Sequence, residues 1–262
     1  MYETDSYDHP GVRMVHEMQP VLLAGKVDLI KGRRSGTRAY ELSPKQLRRL
    51  FDERGWATVL GFHTRNIPHR GHEFIQLKAM EDENCDGLLV QPVVGKKKPG
   101  DFRSEYIIKS YENMIGNFYP KEKVVLAAFS TFSRYAGPKE ALFTALCRKN
   151  FGCSHFIVGR DHTGVGTYYD PYASQRIFDQ FPDLGIKIVK FDEIFYSKKL
   201  NNYVHESLQS PLEDMDKLRM ISGSQARAMF INGKRPPNWF MRPEISNLIL
   251  NSVKNGEQVF EK

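Results

Sequence analysis

From residue 56 onward, short apolar runs alternate with longer segments whose apolar positions recur at three- and four-residue spacing. The runs at 57–60, 87–90, 124–129, 155–158 and 186–189 have the length and composition of buried strands. The segments between them, at 71–81, 104–117, 139–149 and 173–181, read as helices. Pro138 opens the third of these helices at a first-turn position. Strict alternation of strand and helix is the pattern of a parallel sheet covered on both faces, so the expected fold class is α/β with an open parallel sheet of about five strands.

The flanks read differently. Residues 1–45 are rich in polar and turn residues, with short strand-like pieces at 21–23 and 27–30, too little to bury a core alone and expected to drape over the rest. Ser43 with Gln46 three residues on predicts a capping box for a helix from Pro44 to about Arg54, which Gly55 ends. At the other end, Ser222, Gly223 and Ser224 open a helix that runs to about Asn232, and Pro236-Pro237 stops it. Arg242-Pro243-Glu244 leads into a last amphipathic helix to about Val253. The expected division is an N-terminal extension at 1–45, a main α/β unit at 46–220 and a C-terminal helical segment at 221–262.

Unusual polar residues keep phase with this pattern. They fall at 63–72 after the first strand, 91–95 after the second, 130–135 after the third and 159–164 after the fourth. The carboxyl ends of the strands in an open parallel sheet share one edge, where ligands bind, so the four clusters should converge on one crevice. The densest of them, F-H-T-R-N-I-P-H-R-G-H-E at 62–73, holds three histidines, two arginines and an asparagine where a strand passes into a helix. Imidazoles that donate or carry a proton, with the unpaired N–H groups of a helix N-terminus, suit a polyphosphate. A His69-x-x-His72 metal site, without acidic or thiolate company, and a purely structural cluster are the other readings. Ser222, Gly223 and Ser224, with Arg227 one turn in, read either as a second phosphate cradle or as a simple N-cap.

Composition narrows the function classes. The chain has 262 residues, 40% of them hydrophobic, and a formal charge of +7 from 38 Lys plus Arg against 31 Asp plus Glu. The longest basic run is Lys96-Lys97-Lys98, beside Pro99-Gly100, so a solvated loop and a phosphate-attracting loop are both open. That charge distribution argues for small anionic substrates over nucleic acid or a membrane surface. Cys85, Cys147 and Cys153 form no C-x-x-C, and no signal peptide or long apolar span is present, which points to a reducing cytoplasm.

H-T-R-N-I-P-H-R-G-H at 63–72, Q-P-V-V-G at 91–95, R-Y-A-G-P-K-E at 134–140, G-R-D-H-T-G at 159–164, I-S-G-S-Q-A-R at 221–227 and P-P-N-W-F-M-R-P-E at 236–244 together resemble the catalytic domain of ATP sulfurylase, sulfate adenylyltransferase. The resemblance covers nearly everything from Trp56 onward and implies a Rossmann-like, histidine-motif nucleotidyltransferase. It implies transfer of AMP from ATP to sulfate, giving adenosine 5'-phosphosulfate and pyrophosphate, with Mg²⁺ accompanying ATP. By resemblance, Thr64, Arg65 and Asn66 form the active-site triplet, with Arg65 clamping sulfate, and His69 and His72 stabilise the transition state on the phosphates. Gly159, Arg160, Asp161 and His162 hold the nucleotide, Phe191 and Ile194 lie near its pocket, and Ser222, Gly223, Ser224 and Arg227 complete the phosphate site. His63, Arg65 and Thr163 face the acceptor.

Four positions depart from the pattern of the family. His63 stands where glutamine is usual, Thr163 where alanine is usual, and Gln91 where the family has a histidine, while Ile67-Pro68 moves a proline by one place. Two departures touch the acceptor corner, so a phosphonate, a phosphate ester or a carboxylate is the alternative acceptor, and a nucleotide-binding module without catalysis is a further alternative. S-K-K-L-N-N-Y-V-H at 197–205 lacks the cysteine cluster of some relatives, so no zinc is expected. Residues 1–45 are expected to be the last part of the N-terminal domain that the family commonly has, and a homo-oligomer is possible by the same resemblance.

Overall fold

The computed structural model describes residues 1–28, 36–205, 217–219 and 221–262, the side chains of 217–219 excepted. Five strands form the central parallel sheet: β1 (Val59–Thr64), β2 (Gly87–Pro92), β3 (Val124–Leu126), β4 (His155–Val158) and β5 (Lys187–Lys190), in the order β3-β2-β1-β4-β5. The α/β expectation holds. The strand order reverses direction between β1 and β4, and that switch point is where an open sheet leaves a crevice at its carboxyl edge.

Side-chain alternation explains why both faces are covered. In β2, Leu88 and Val90 enter one core while Leu89 enters the other; in β1, Leu60 and Phe62 oppose Val59. On the first face lie α3 (Arg70–Asp82), α4 (Ser104–Phe118), α7 (Gly223–Ile231) and α8 (Pro243–Lys254), with Tyr111, Phe230 and Ile249 fully buried. On the second lie α2 (Pro44–Glu53), α5 (Pro138–Phe151) and the short α6 (Ala173–Arg176), contributing Leu47, Phe51, Ala141 and Ala145. The helix α2, whose Ser43–Gln46 capping box forms, therefore spans the expected boundary at 45/46 and belongs to this core. The segment from 221 onward likewise shares a core with the sheet.

Several expectations change. β1 runs four residues further than the apolar run suggests, because β2 pairs with it as far as Thr64↔Pro92. His63 and Thr64 are thus strand residues rather than loop residues. β3 ends at Leu126, with only an isolated bridge, Val93↔Phe129, continuing the line. The helix expected over 173–181 is one α turn followed by a 3-10 segment, Ile177–Gln180. A second sheet of three antiparallel strands, β6 (Ile194–Ser197), β7 (Asn202–His205) and β8 (Lys217–Arg219), follows β5. The piece at 21–23 is no strand; Leu23 is 95% exposed. Of the other piece, Leu29 and Ile30 lie outside the described residues. The N-terminal extension forms α1 (Pro10–His16) instead, capped by His9, whose Nδ1 accepts the Gly11 and Val12 N–H groups.

Candidate active site

A cavity of about 310 Å³ opens at the switch point, within the size range of small-molecule sites. Every expected residue between 63 and 72 and between 159 and 163 lines it, together with Ile194. The chain leaves the sheet at Thr64, whose hydroxyl accepts the Asn66 N–H at 3.1 Å and faces the Asn66 carbonyl at 3.3 Å. This local side-chain-to-backbone pairing closes the turn that carries Arg65 and Asn66 into the cavity. Arg65 crosses to the loop after β4, donating Nη2–H to the Gly164 carbonyl at 2.8 Å, and its guanidinium carbon lies 5.0 Å from the centre of the Tyr135 ring.

His69 is the N-cap of α3 and accepts the His72 N–H through Nδ1 at 3.2 Å. The two imidazoles stack with centroids 3.7 Å apart, and His69 stacks in turn on Phe240 at 4.9 Å. Burial pushes His72 down to about 4, and burial with the neighbouring His72 holds His69 well below its usual value. At neutral pH both rings are therefore uncharged in the unliganded site and act as N–H donors. With Nδ1 of His69 occupied as an acceptor, its proton sits on Nε2. His72 Nδ1 is buried without a protein partner among the described residues.

The loop after β4 is held in a strained shape. Asp161 and Thr163 both adopt left-handed backbone, with φ of 54° and 58°, which is uncommon for a β-branched residue and costs on the order of 1 kcal/mol. The Thr163 hydroxyl offsets this by donating to the Gly137 carbonyl at 2.8 Å or the His162 carbonyl at 2.7 Å. It is engaged with backbone and braces the loop rather than offering a hydroxyl to an acceptor. Arg160 pairs with Asp161 at 3.0 Å. Burial, followed by the charges of Arg148 and Arg65, lowers His162 to about 3.

The structure places the C-terminal cluster beside this centre, outside the cavity wall. Ser222 caps α7, accepting the Gln225 N–H in a capping box, and Arg227 donates to Ser224 at 3.0 Å and lies 3.5 Å from Asp101. Both readings of Ser-Gly-Ser therefore survive: a cap is present, and a Cβ on Gly223 would lie 3.7 Å from Asn66 Oδ1. That Oδ1 is buried and unpartnered among the described residues. Phe191 does not line the cavity; it is buried in the first core, its N–H bonded to the Val158 carbonyl. The polar residues next to it, Asp192 and Glu193, do line the cavity. The rule that polar clusters follow strand ends would have selected them after β5. Gln91, which opens the expected cluster at 91–95, and Arg148 are fully buried beneath His63; Arg148 had no comparable signal, since a cation in the last turn of a helix ordinarily faces water.

Comparison with known proteins agrees with this layout. The sequence pattern of the ATP-sulfurylase family matches residues 38–252. The chain belongs to the ATP-sulfurylase family. It is 47% identical over 250 residues to a sulfate adenylyltransferase of Ignicoccus hospitalis and 45% identical over 249 residues to one of Pyrococcus abyssi, covering 95% of this chain in both cases. A sulfate adenylyltransferase of Hyperthermus butylicus is 43% identical over 265 residues. The chain spans 64%, 65% and 67% of those three ATP-sulfurylase relatives. A hexameric APS kinase from Thiobacillus denitrificans has the same fold, with a TM-score of 0.66 at 21% identity over 84% of this chain and 41% of that one.

Proposed function

We propose that this chain is an adenylyltransferase that moves AMP from ATP to sulfate. The observation that carries the reading is the meeting of Arg65, Asn66, the His69–His72 pair and the 159–163 loop on one cavity at the sheet's switch point. A sulfate oxygen attacks the α-phosphorus, the bond from that phosphorus to the oxygen bridging the β-phosphate breaks, and pyrophosphate leaves with the bonding electrons. Two anions must approach each other, so alignment and charge neutralisation dominate and no enzyme nucleophile is used.

The residues divide accordingly. Arg65, anchored through one Nη to Gly164, turns its remaining N–H groups to a tetrahedral oxyanion. The backbone N–H of Thr163, with no protein acceptor among the described residues, suits the same anion. His69 and His72 donate to the phosphates as charge builds on the leaving group, with Asn66 beside them. The loop at 159–162 and Ile194 take the nucleoside, and Gly223, Ser224 and Arg227 extend the phosphate site from the N-terminus of α7. Mg²⁺ would enter bound to ATP, supplying charge neutralisation. No group of three or more His, Cys, Asp or Glu among the described residues could cage a metal, whereas Asp161, Asp192 and Glu193 line the cavity where a phosphate-held ion needs only one or two carboxylates. Three free cysteines support a reducing compartment, the cytoplasm, and the family supports a homo-oligomer.

Pyrophosphate release measured across sulfate, phosphate, phosphonates and carboxylates tests the reading, with turnover expected on sulfate. Turnover on a different anion alone would replace sulfate as acceptor. ATP binding without ATP–pyrophosphate exchange under any acceptor would reduce the chain to a binding module.

A further inference from the structure

Behind the acceptor corner lies a guanidinium that no part of the adenylyl-transfer reading uses. Arg148, in the last turn of α5, is fully buried, and no carboxylate pairs with it among the described residues. Its shaft lies under β1, where a Cβ on Gly61 would come within 2.9 Å of Arg148 Cγ, so glycine at 61 is what lets the side chain pass. The head emerges against Phe129, 4.6 Å from that ring's centre, and Nη2 makes two contacts: 2.7 Å to His63 Nδ1 and 3.1 Å to the Gln91 carbonyl. Nε and Nη1 of Arg148 and both polar atoms of the Gln91 side chain are buried without partners among the described residues.

A guanidinium has only N–H donors, so the 2.7 Å contact makes His63 Nδ1 an acceptor. A neutral imidazole that accepts at Nδ1 carries its hydrogen on Nε2. The charged groups facing His63 are Arg148 from α5, Arg134 from the segment before α5, and Arg65 just beyond β1; His162, from the loop after β4, faces it 5.8 Å away, and Phe129 closes the remaining side. Burial opposes protonation of His63, and these charged groups, all cations, act in the same direction. The corner thus combines neutral donors with uncompensated positive charge, a match for an anion without a proton of its own.

We propose that Arg148 is a positioning residue for the acceptor: it locks His63 as a neutral imidazole with its hydrogen on Nε2, so that His63 presents an N–H donor to the oxyanion beside Arg65. The assignment rests on the adenylyl-transfer reading for the identity of that oxyanion. Glutamine at 63 can take the same polarity, its carbonyl accepting from Arg148 and its amide turned to the cavity.

The first test needs no variant. Long-range ¹H–¹⁵N spectra of the intact wild-type protein between pH 6 and 8 should show His63 protonated on Nε2 alone; a proton on Nδ1, or on both nitrogens, overturns the proposal whatever the enzyme turns over. The second is a cycle of R148M, H63A and the double variant, read by pyrophosphate release. R148M should raise KM for sulfate about tenfold or more, the effect of losing a well-oriented hydrogen bond to a charged group, with KM for ATP little changed. It should also move the acid-side inflection of the sulfate KM to higher pH, because one cation opposing protonation of His63 is gone while burial, Arg65 and Arg134 remain. In the H63A background R148M should add less than about twofold, because Arg148 acts through His63. In the H63Q background R148M should again raise KM for sulfate, because the glutamine carbonyl then loses the same donor. Equal losses from R148M with and without His63, or a loss in both KM values alike, would assign Arg148 a merely structural role. Absence of wild-type turnover on sulfate would count against the functional reading, and the spectra would still decide the tautomer.

Discussion

Replacing Arg242 with methionine removes the cation that holds Glu73 in the first turn of α3. Glu73 is 8% exposed and receives two parallel bonds, Arg242 Nε to Oε2 at 2.8 Å and Arg242 Nη2 to Oε1. The guanidinium carbon also lies 3.7 Å from the centre of the Phe118 ring. Breaking a buried ion pair by deleting one partner costs about 3–5 kcal/mol. Here the side chains are 25% and 11% exposed, so water recovers part of that loss, and about 2 kcal/mol is expected. In a chain of this size that is about 4–8 °C in Tm. The same segment docks the histidine pair, since Arg70 donates its N–H to the Phe240 carbonyl at 2.8 Å and His69 stacks on Phe240. R242M should therefore lower kcat for pyrophosphate release while leaving KM for sulfate nearly unchanged, and E73L/R242M should regain most of the stability with little of the kcat. Urea unfolding and pyrophosphate-release kinetics check both halves. If R242M and E73Q each unfold within about 0.5 kcal/mol of wild type, the pair does not anchor α3 and the reasoning fails.

Three further outcomes are expected. H72A should lose transfer to every acceptor by about 100-fold or more while still binding ATP, as removal of a transition-state donor does; an acceptor-selective loss in a kinetic panel would contradict this. Acid should destabilise the fold through its buried histidines. His72 and His162 fall to about 4 and about 3 when folded and return to about 6.5 when unfolded, so their contribution is complete above about pH 6.5 and is lost as pH drops toward those folded values. Both residues line the cavity, so the two together should cost about 2 kcal/mol by pH 5, read as a falling urea midpoint, and a rising one would reverse the argument. Gly95→Ala should cost about 3 kcal/mol or more, because its Cβ would sit 1.8 Å from the Thr131 carbonyl oxygen, where the loops after β2 and β3 touch; an unchanged Tm would show that the loops separate freely.

Much of this architecture is written locally. Leu88, Leu89 and Val90 declare a strand buried on both faces, and Ser43 with Gln46, or Ser222 with Gln225, declares where a helix starts. Such signals depend on neighbours along the chain, which is why the five-strand sheet, its helices and the phase of the polar clusters were legible before any coordinates. The sheet of β6, β7 and β8 was not: β6 and β7 form a hairpin, Ser197↔Asn202, without the Asn-Gly or Asp-Gly turn that announces one, and β8 joins Lys217 to Ser197 across an intervening segment. Helix α1 was missed for a related reason: it starts at a histidine cap, and His9 is held by Tyr169, 3.1 Å away and 160 positions later.

Chemistry divides in the same way. Residue type and order alone assigned Arg65, Asn66, His69, His72 and the loop at 159–163 to one site, since a parallel sheet brings every strand's carboxyl end to one edge. Charge state and hydrogen-bond direction were decided only by the fold. Burial makes the histidine pair neutral, the left-handed turn at Thr163 spends its hydroxyl on backbone, and the passage under Gly61 delivers Arg148 to His63. Each of these depends on what lies across space from the residue, a quantity set by packing and dielectric rather than by position in the chain.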